Sequence, residues 1–189
     1  INELFAKLDT LTKEDILVLA GSIPNTLPED IYEKILASLE SKGIRVVVDA
    51  TKDLLLNVLK YHPFLIKPNN HELGEMFGTV CKTDEDIVHY AKKLQEKGAV
   101  NVLISMAGDG AILITEDGQN IKMGTPKGKV VNSVGAGDSM VAGFITGYIR
   151  GGNYEEALKS GTAAGSATAF SEGLASLEMY EKMLKQITE

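Results

Sequence analysis

Four short apolar runs constrain this chain more than any other feature: residues 16–20, 45–49, 64–66 and 100–105. Each is dominated by valine, isoleucine or leucine, and Gly21 and Pro68 stop the first and third. Runs of this length without polar alternation suit strands covered on both faces, as in a parallel sheet. The stretches between them carry helical signals. Pro28 suits a first helical turn with Glu29 and Asp30 behind it; Ile31, Ile35 and Leu39 share a face, and Lys42-Gly43 close the helix. Residues 53–60 predict a short helix. Residues 69–77 predict another with Asn69 as its cap, and Asp86 stands in a capping-box position in the helix that Thr83 opens and Gly98 ends.

Two further strands, 111–115 and 119–123, are joined at Asp117-Gly118, a hairpin signal. Met140, Val141, Phe144, Ile145, Tyr148 and Ile149 form a helical stripe that stops at Gly151-Gly152. Helices at 154–170 and 176–187 follow, and Ile1-Asn2-Glu3 reads as the end of a helix. The whole pattern predicts an α/β fold: an open, mostly parallel sheet with helices on both faces, in one domain. Ligands then belong beyond the carboxyl ends of the strands.

Composition narrows the partners. A formal net charge of −7 and a pI near 5.1 argue against nucleic acid and anionic membrane surfaces. Cys81 is the only cysteine, so no intrachain disulfide forms, which fits a cytoplasmic protein. No run of 18 apolar residues occurs to span a bilayer. His62, His71 and His89 form no ligand spacing, and Cys81 has no catalytic partner.

Asn132-Ser133-Val134-Gly135-Ala136-Gly137-Asp138-Ser139 carries the chemistry. It follows the β-branched pair Val130-Val131 and opens a helical segment. Glycines there let backbone N–H groups crowd around an anion at a helix N-terminus, where the helix dipole also favours phosphate. Asp138 stands beside that pocket, where a carboxylate would accept the proton of an attacking hydroxyl. The plain alternative is an ordinary turn with a favourable first-turn charge. A dinucleotide fingerprint fits poorly, since its third glycine falls on Met140, and there is no Gly-Lys-Ser/Thr of a Walker A loop.

Three motifs in this order resemble the ribokinase-like sugar kinases, the PfkB family: 65–72 (Leu-Ile-Lys-Pro-Asn-Asn-His-Glu), 105–111 (Ser-Met-Ala-Gly-Asp-Gly-Ala) and the Val-Gly-Ala-Gly-Asp-Ser run. Asn132-Ser133 stands where the family more often has Asp-Thr. With Gly21-Ser22-Ile23-Pro24, this resembles the branch acting on sugars that already bear a phosphate. The resemblance implies ATP and Mg²⁺ as cofactors, Asp138 as catalytic base in contact with substrate, and the N–H groups of Gly135, Ala136 and Gly137 as the anion hole. It implies that Asn69 and Glu72 help place magnesium, through water, and the phosphates. Lys67 would meet an ATP phosphate, the plain alternative being an exposed strand end.

Ser105, Gly108 and Gly110 would line the nucleotide, although the segment also reads as a glycine-bearing turn. Thr162 and Ser166 would border the adenine, although close helix packing explains their small-residue helix equally well. Gly21 and Ser22 would approach the sugar phosphate. The expected acceptor is fructose 1-phosphate, with tagatose 6-phosphate second; a nucleotide-binding piece without turnover is the alternative of another class. Against the family pattern, residues 1–189 are expected to be the C-terminal part of a single kinase domain. The first strands and the small β lid, through which a homodimer would form, are then missing.

Overall fold

The computed structural model describes residues 1–188. Six strands form one sheet in the order β1-β2-β3-β4-β5-β6. They are β1 (Ile16–Ala20), β2 (Arg45–Asp49), β3 (Leu65–Ile66), β4 (Asn101–Ser105), β5 (Ala111–Ile114) and β6 (Asn120–Met123). The first four run parallel, with Ala20 level with Asp49 and Val48 level with Ile66. β5 and β6 pair antiparallel, Ala111 opposite Met123. The mostly parallel α/β sheet expected from the sequence is thus the observed architecture. Compact packing divides the residues into two units, Ile1–Leu103 and Ile104–Glu189.

The first unit holds α1 (Asn2–Leu8), α2 (Ile31–Leu39), α3 (Lys52–Val58), α4 (Asn70–Met76) and α5 (Asp84–Glu96). Val47, Val48, Leu55, Leu65, Ile66, Leu73 and Leu94 are fully buried and form its core. Thr83 and Asp86 close the expected capping box on α5. Three expectations need correction. Ile1 caps α1 and Asn2-Glu3 open it, so these residues begin a helix rather than end one. Helix α2 begins at Ile31, because Pro28 lies in a turn whose carbonyl receives the Ile31 N–H at 3.0 Å. Strand β1 is not buried on both faces: Val18 is 41% exposed, since β1 ends the strand order and pairs on one side only among the described residues.

The second unit holds α6 (Ala136–Gly151), α7 (Tyr154–Ala169) and α8 (Leu177–Thr188) beside β5 and β6. The Asp117-Gly118 turn joins the hairpin as expected, with Gly118 at φ +84°. Helices α6 and α7 approach closely enough that a Cβ at Gly143 would lie 2.6 Å from the Ser160 carbonyl oxygen, and one at Gly147 2.5 Å from that of Glu156. Close helix packing therefore accounts for the small-residue stretch around Gly161–Gly165. Ala163, Ala167 and Met183 knit α7 to α8. Residues 124–135 contain no strand, so the Gly-Ala-Gly-Asp motif follows a loop rather than an apolar strand. The Val131 N–H bonds the Ala169 carbonyl at 2.8 Å, and Val130 and Val131 are exposed, which leaves that backbone no ladder to join.

Candidate active site

In the first unit, the carboxyl ends of β1, β2 and β3 collect polar groups that answer one another. Asp49 ends β2, and Lys67 follows β3 at the level of Asp49. Its Nζ lies 3.3 Å from Asp49 Oδ1, with both side chains largely buried. Lys67 is therefore a buried, paired cation and not an exposed strand end. Tyr32 on α2 reaches the same rim, its hydroxyl donating to the carbonyls of Ala20 at 2.8 Å and Gly21 at 3.2 Å. Burial, and then the nearby Asp49 carboxylate, hold its phenol above the ordinary value, so it remains a donor. Gly21 and Ser22 lie exposed in the turn beyond β1. Gly21 has φ +82°, and its N–H donates to the Asp49 carbonyl at 3.1 Å.

Asn69 caps α4. Its Oδ1 accepts the Glu72 N–H at 2.8 Å, and Glu72 Oε2 accepts the Asn69 N–H at 2.8 Å. Asn69 and Glu72 thus form a capping box, which orients both side chains. Each gives one oxygen to the cap, leaving the second oxygen of the Glu72 carboxylate for a ligand. So small a donor set fits a cation that keeps most of its water, as Mg²⁺ commonly does. Among the described residues no group of three or more His, Cys, Asp and Glu side chains assembles to hold a metal.

In the second unit, Gly135 is the N-cap of α6 at φ +81°, a conformation that L-residues with a Cβ resist. A Cβ there would also meet Leu174 Cδ2 at 3.0 Å. Among the described residues, the N–H groups of Gly135, Gly137 and Asp138 have no protein partner. The Ala136 N–H differs: it donates to the Ser133 carbonyl at 3.2 Å, which corrects its place in the expected anion hole. The Asp138 amide replaces it, a donor that reading glycines alone overlooks. The Asp138 side chain is exposed, and among the described residues no hydrogen bond or ion pair engages its carboxylate. A dipole-favoured anion cradle with an unengaged carboxylate in the same helical turn can bind a phosphoryl group and take a proton beside it.

The remaining expected nucleotide contacts fare unequally. Ser105 ends β4, and Gly108 lies exposed in a tight turn in which the Met106 N–H bonds the Gly110 carbonyl at 2.8 Å. Gly110 is buried at φ +91°, and a Cβ there would lie 2.0 Å from the Met123 carbonyl oxygen, so its glycine answers packing. Thr162 and Ser166 are corrected as open contacts. Thr162 is 1% exposed with Oγ1 unpartnered, and Ser166 is 8% exposed, because the helix that carries them is packed from several sides. Sequence reasoning also missed Asp49 and Tyr32. An acidic residue closing a parallel-strand run signals the ligand rim and would have found Asp49; only folding brings Tyr32 there.

Comparison with known proteins adds to this geometry. The pfkB family carbohydrate kinase profile matches residues 1–179. Over 181 residues the chain is 50% identical to the 1-phosphofructokinase of Bacillus subtilis (strain 168), covering 96% of this chain and 59% of that relative. It is 37% identical over 186 residues to the D-tagatose-1-phosphate kinase of Bacillus licheniformis, covering 98% of this chain and 61% of the relative. The crystal structure of a candidate phosphofructokinase from Staphylococcus aureus superimposes with a TM-score of 0.93 at 44% identity, covering 98% of this chain and 60% of that one. The chain spans about three-fifths of the length of these relatives. With its profile match, its mostly parallel sheet and its glycine-capped helix bearing Asp138, the chain belongs to the pfkB family of carbohydrate kinases.

Proposed function

We propose that residues 1–189 are part of one cytoplasmic kinase domain that transfers the γ-phosphoryl group of ATP to the 6-hydroxyl of fructose 1-phosphate, giving fructose 1,6-bisphosphate and ADP. The observation that carries this reading is the unengaged Asp138 carboxylate beside the open N–H groups of Gly135, Gly137 and Asp138. Asp138 orients the acceptor hydroxyl and takes its proton as the bond to phosphorus forms. Because phosphoryl transfer is loose, that proton leaves late, and a weak carboxylate base suffices. The open amides face the charge on the transferring group. Lys67 and Ser105 meet the nucleotide phosphates, Gly108 leaves room along the nucleotide, and Gly21 and Ser22 approach the sugar phosphate. Glu72 and Asn69 would hold Mg²⁺ through water, where the ion supplies neutralising charge to the phosphates.

The relative named D-tagatose-1-phosphate kinase favours a second acceptor that also carries its phosphate at the 1 position. A coupled assay on the full-length protein with fructose 1-phosphate, tagatose 1-phosphate and tagatose 6-phosphate ranks the acceptors by kcat/KM. In the same assay Asp138→Asn should lower kcat about 10²- to 10⁴-fold while ATP affinity is kept. Unchanged turnover in that variant removes Asp138 as the base. ATP binding with no turnover on any of the three sugars supports the nucleotide-binding alternative instead.

A further inference from the structure

The first turn of α6 is held from one side by a residue to which the reading above gives no role. Thr168, one residue before the end of α7, is 1% exposed. Its Oγ1 lies 2.8 Å from Ser139 Oγ, in the residue directly after Asp138. The same oxygen accepts the N–H of Ala175 at 3.2 Å. Its methyl carbon would be 4.0 Å from a Cβ on Gly135. Its hydroxyl therefore ties Ser139, at the end of the 135–139 segment, to the loop after α7, while its methyl faces the open side of Gly135. The loop before the motif is tied to the end of α7 and the loop after it: the Val131 and Asn132 N–H groups both reach the Ala169 carbonyl, at 2.8 and 3.2 Å, and Asn132 Nδ2 donates to the Glu172 carbonyl at 3.0 Å.

These contacts matter because the open amides of Gly135, Gly137 and Asp138 lack internal partners that would hold them in place. Donors aimed at developing charge act only if their positions are set before the reaction, and tenths of an ångström matter. A buried threonine in a helix commonly bonds a carbonyl one turn back. Here its hydroxyl is instead shared between Ser139 and Ala175, so it links two separate segments.

We propose that Thr168 is a positioning residue for phosphoryl transfer. Through Ser139 it holds the amide cradle and Asp138 in the geometry that the transition state needs, while leaving ground-state binding of ATP and sugar phosphate nearly untouched. The inference rests on the kinase reading of the same site.

The test uses the full-length protein, well below its unfolding temperature, with Thr168→Val, Thr168→Ser and Ser139→Ala. Thr168→Val should lower kcat about tenfold with both KM values within about twofold, the pattern of an interaction that counts in the transition state. Thr168→Ser keeps the hydroxyl and should recover kcat to within about threefold of the parent. Ser139→Ala should cost a similar factor and add little in the Thr168→Val background, because both remove one contact. Hydrogen exchange of the 135–141 peptide should quicken in Thr168→Val and Ser139→Ala. Should Thr168→Val fail to fold, Ser139→Ala and Thr168→Ser carry the same comparison. The proposal is overturned by parental kcat in Ser139→Ala, by a rise in KM without loss of kcat, or by additive losses in the double variant. A parent protein with no sugar-phosphate kinase activity overturns the kinase reading instead, and faster exchange at 135–141 would still report the tether.

Discussion

The polar groups at the strand ends of the first unit and those at the start of α6 in the second are treated in opposite ways. Lys67 is neutralised by Asp49, and the side chains of Asn69 and Glu72 satisfy each other's backbone. At α6, three amides and the Asp138 carboxylate are left to solvent. The difference follows from burial. A buried cation without a counter-charge is very costly, so until a ligand's charge arrives it must be answered inside the protein. An exposed helix start has water for its spare N–H groups and can stay open at little cost until an anion displaces that water. The first arrangement should therefore reveal itself in stability and the second in turnover.

Variants can break or sharpen that contrast. The largest loss of stability is expected from Lys67→Met, which strips the buried Asp49 of its cation: about 2–4 kcal/mol by urea denaturation, somewhat below the range for a fully sealed pair. Adding Asp49→Leu should return more than half of it. Gly135→Ala is the exception at the α6 start, because the left-handed backbone and the Leu174 contact make it structural as well. A loss of about 1–2 kcal/mol should accompany its fall in kcat/KM. Asn69→Ala removes one half of the α4 cap and should cost about 1 kcal/mol in the same unfolding assay. Asp138→Asn should stay within about 0.5 kcal/mol of the parent despite its loss of turnover. Equal destabilisation by Asp138→Asn and Lys67→Met would erase the distinction.

The smallest effect concerns pH. Backbone N–H groups of Lys82 and Thr83 at the start of α5 hold the Asp86 carboxyl below its ordinary value. A group depressed in the folded state contributes stability that is present above the unfolded pKa, about 4, and is lost as pH falls through the folded value. Asp86→Asn should therefore flatten the acid limb of the stability curve slightly, by lowering stability a little at neutral pH while leaving it almost unchanged at pH values below the folded pKa.

Much of this was readable beforehand. The positions of β1 to β4, the cap at Asn69, the capping box at Thr83, the Asp117-Gly118 hairpin and the glycine stop after α6 all appear in the local pattern. Each depends on interactions within a few residues, which a sequence displays directly. The start of α2 is not legible in the sequence, because a proline fits a turn as readily as a first helical residue. The exposure of β1 was hidden because an apolar run does not say how many neighbours its strand has. Of the proposed site residues, Gly135 caps α6 and Gly137 and Asp138 lie in its first turn, at the helix start that the glycine pattern predicts. Ala136 dropped out on a single turn hydrogen bond, and Thr162 and Ser166 on helix packing.

The sequence by itself determined the kind of fold and the location of the glycine turn that opens α6, since hydrophobic period and glycine placement are local properties. Only the tertiary structure decided which polar groups are spent on the protein and which remain for a ligand. The bond from Tyr32 to Ala20, the pairing of Lys67 with Asp49 and the tie from Thr168 to Ser139 join residues 12 to 29 positions apart. Such partners meet only after the chain has folded, so no window along it announces them.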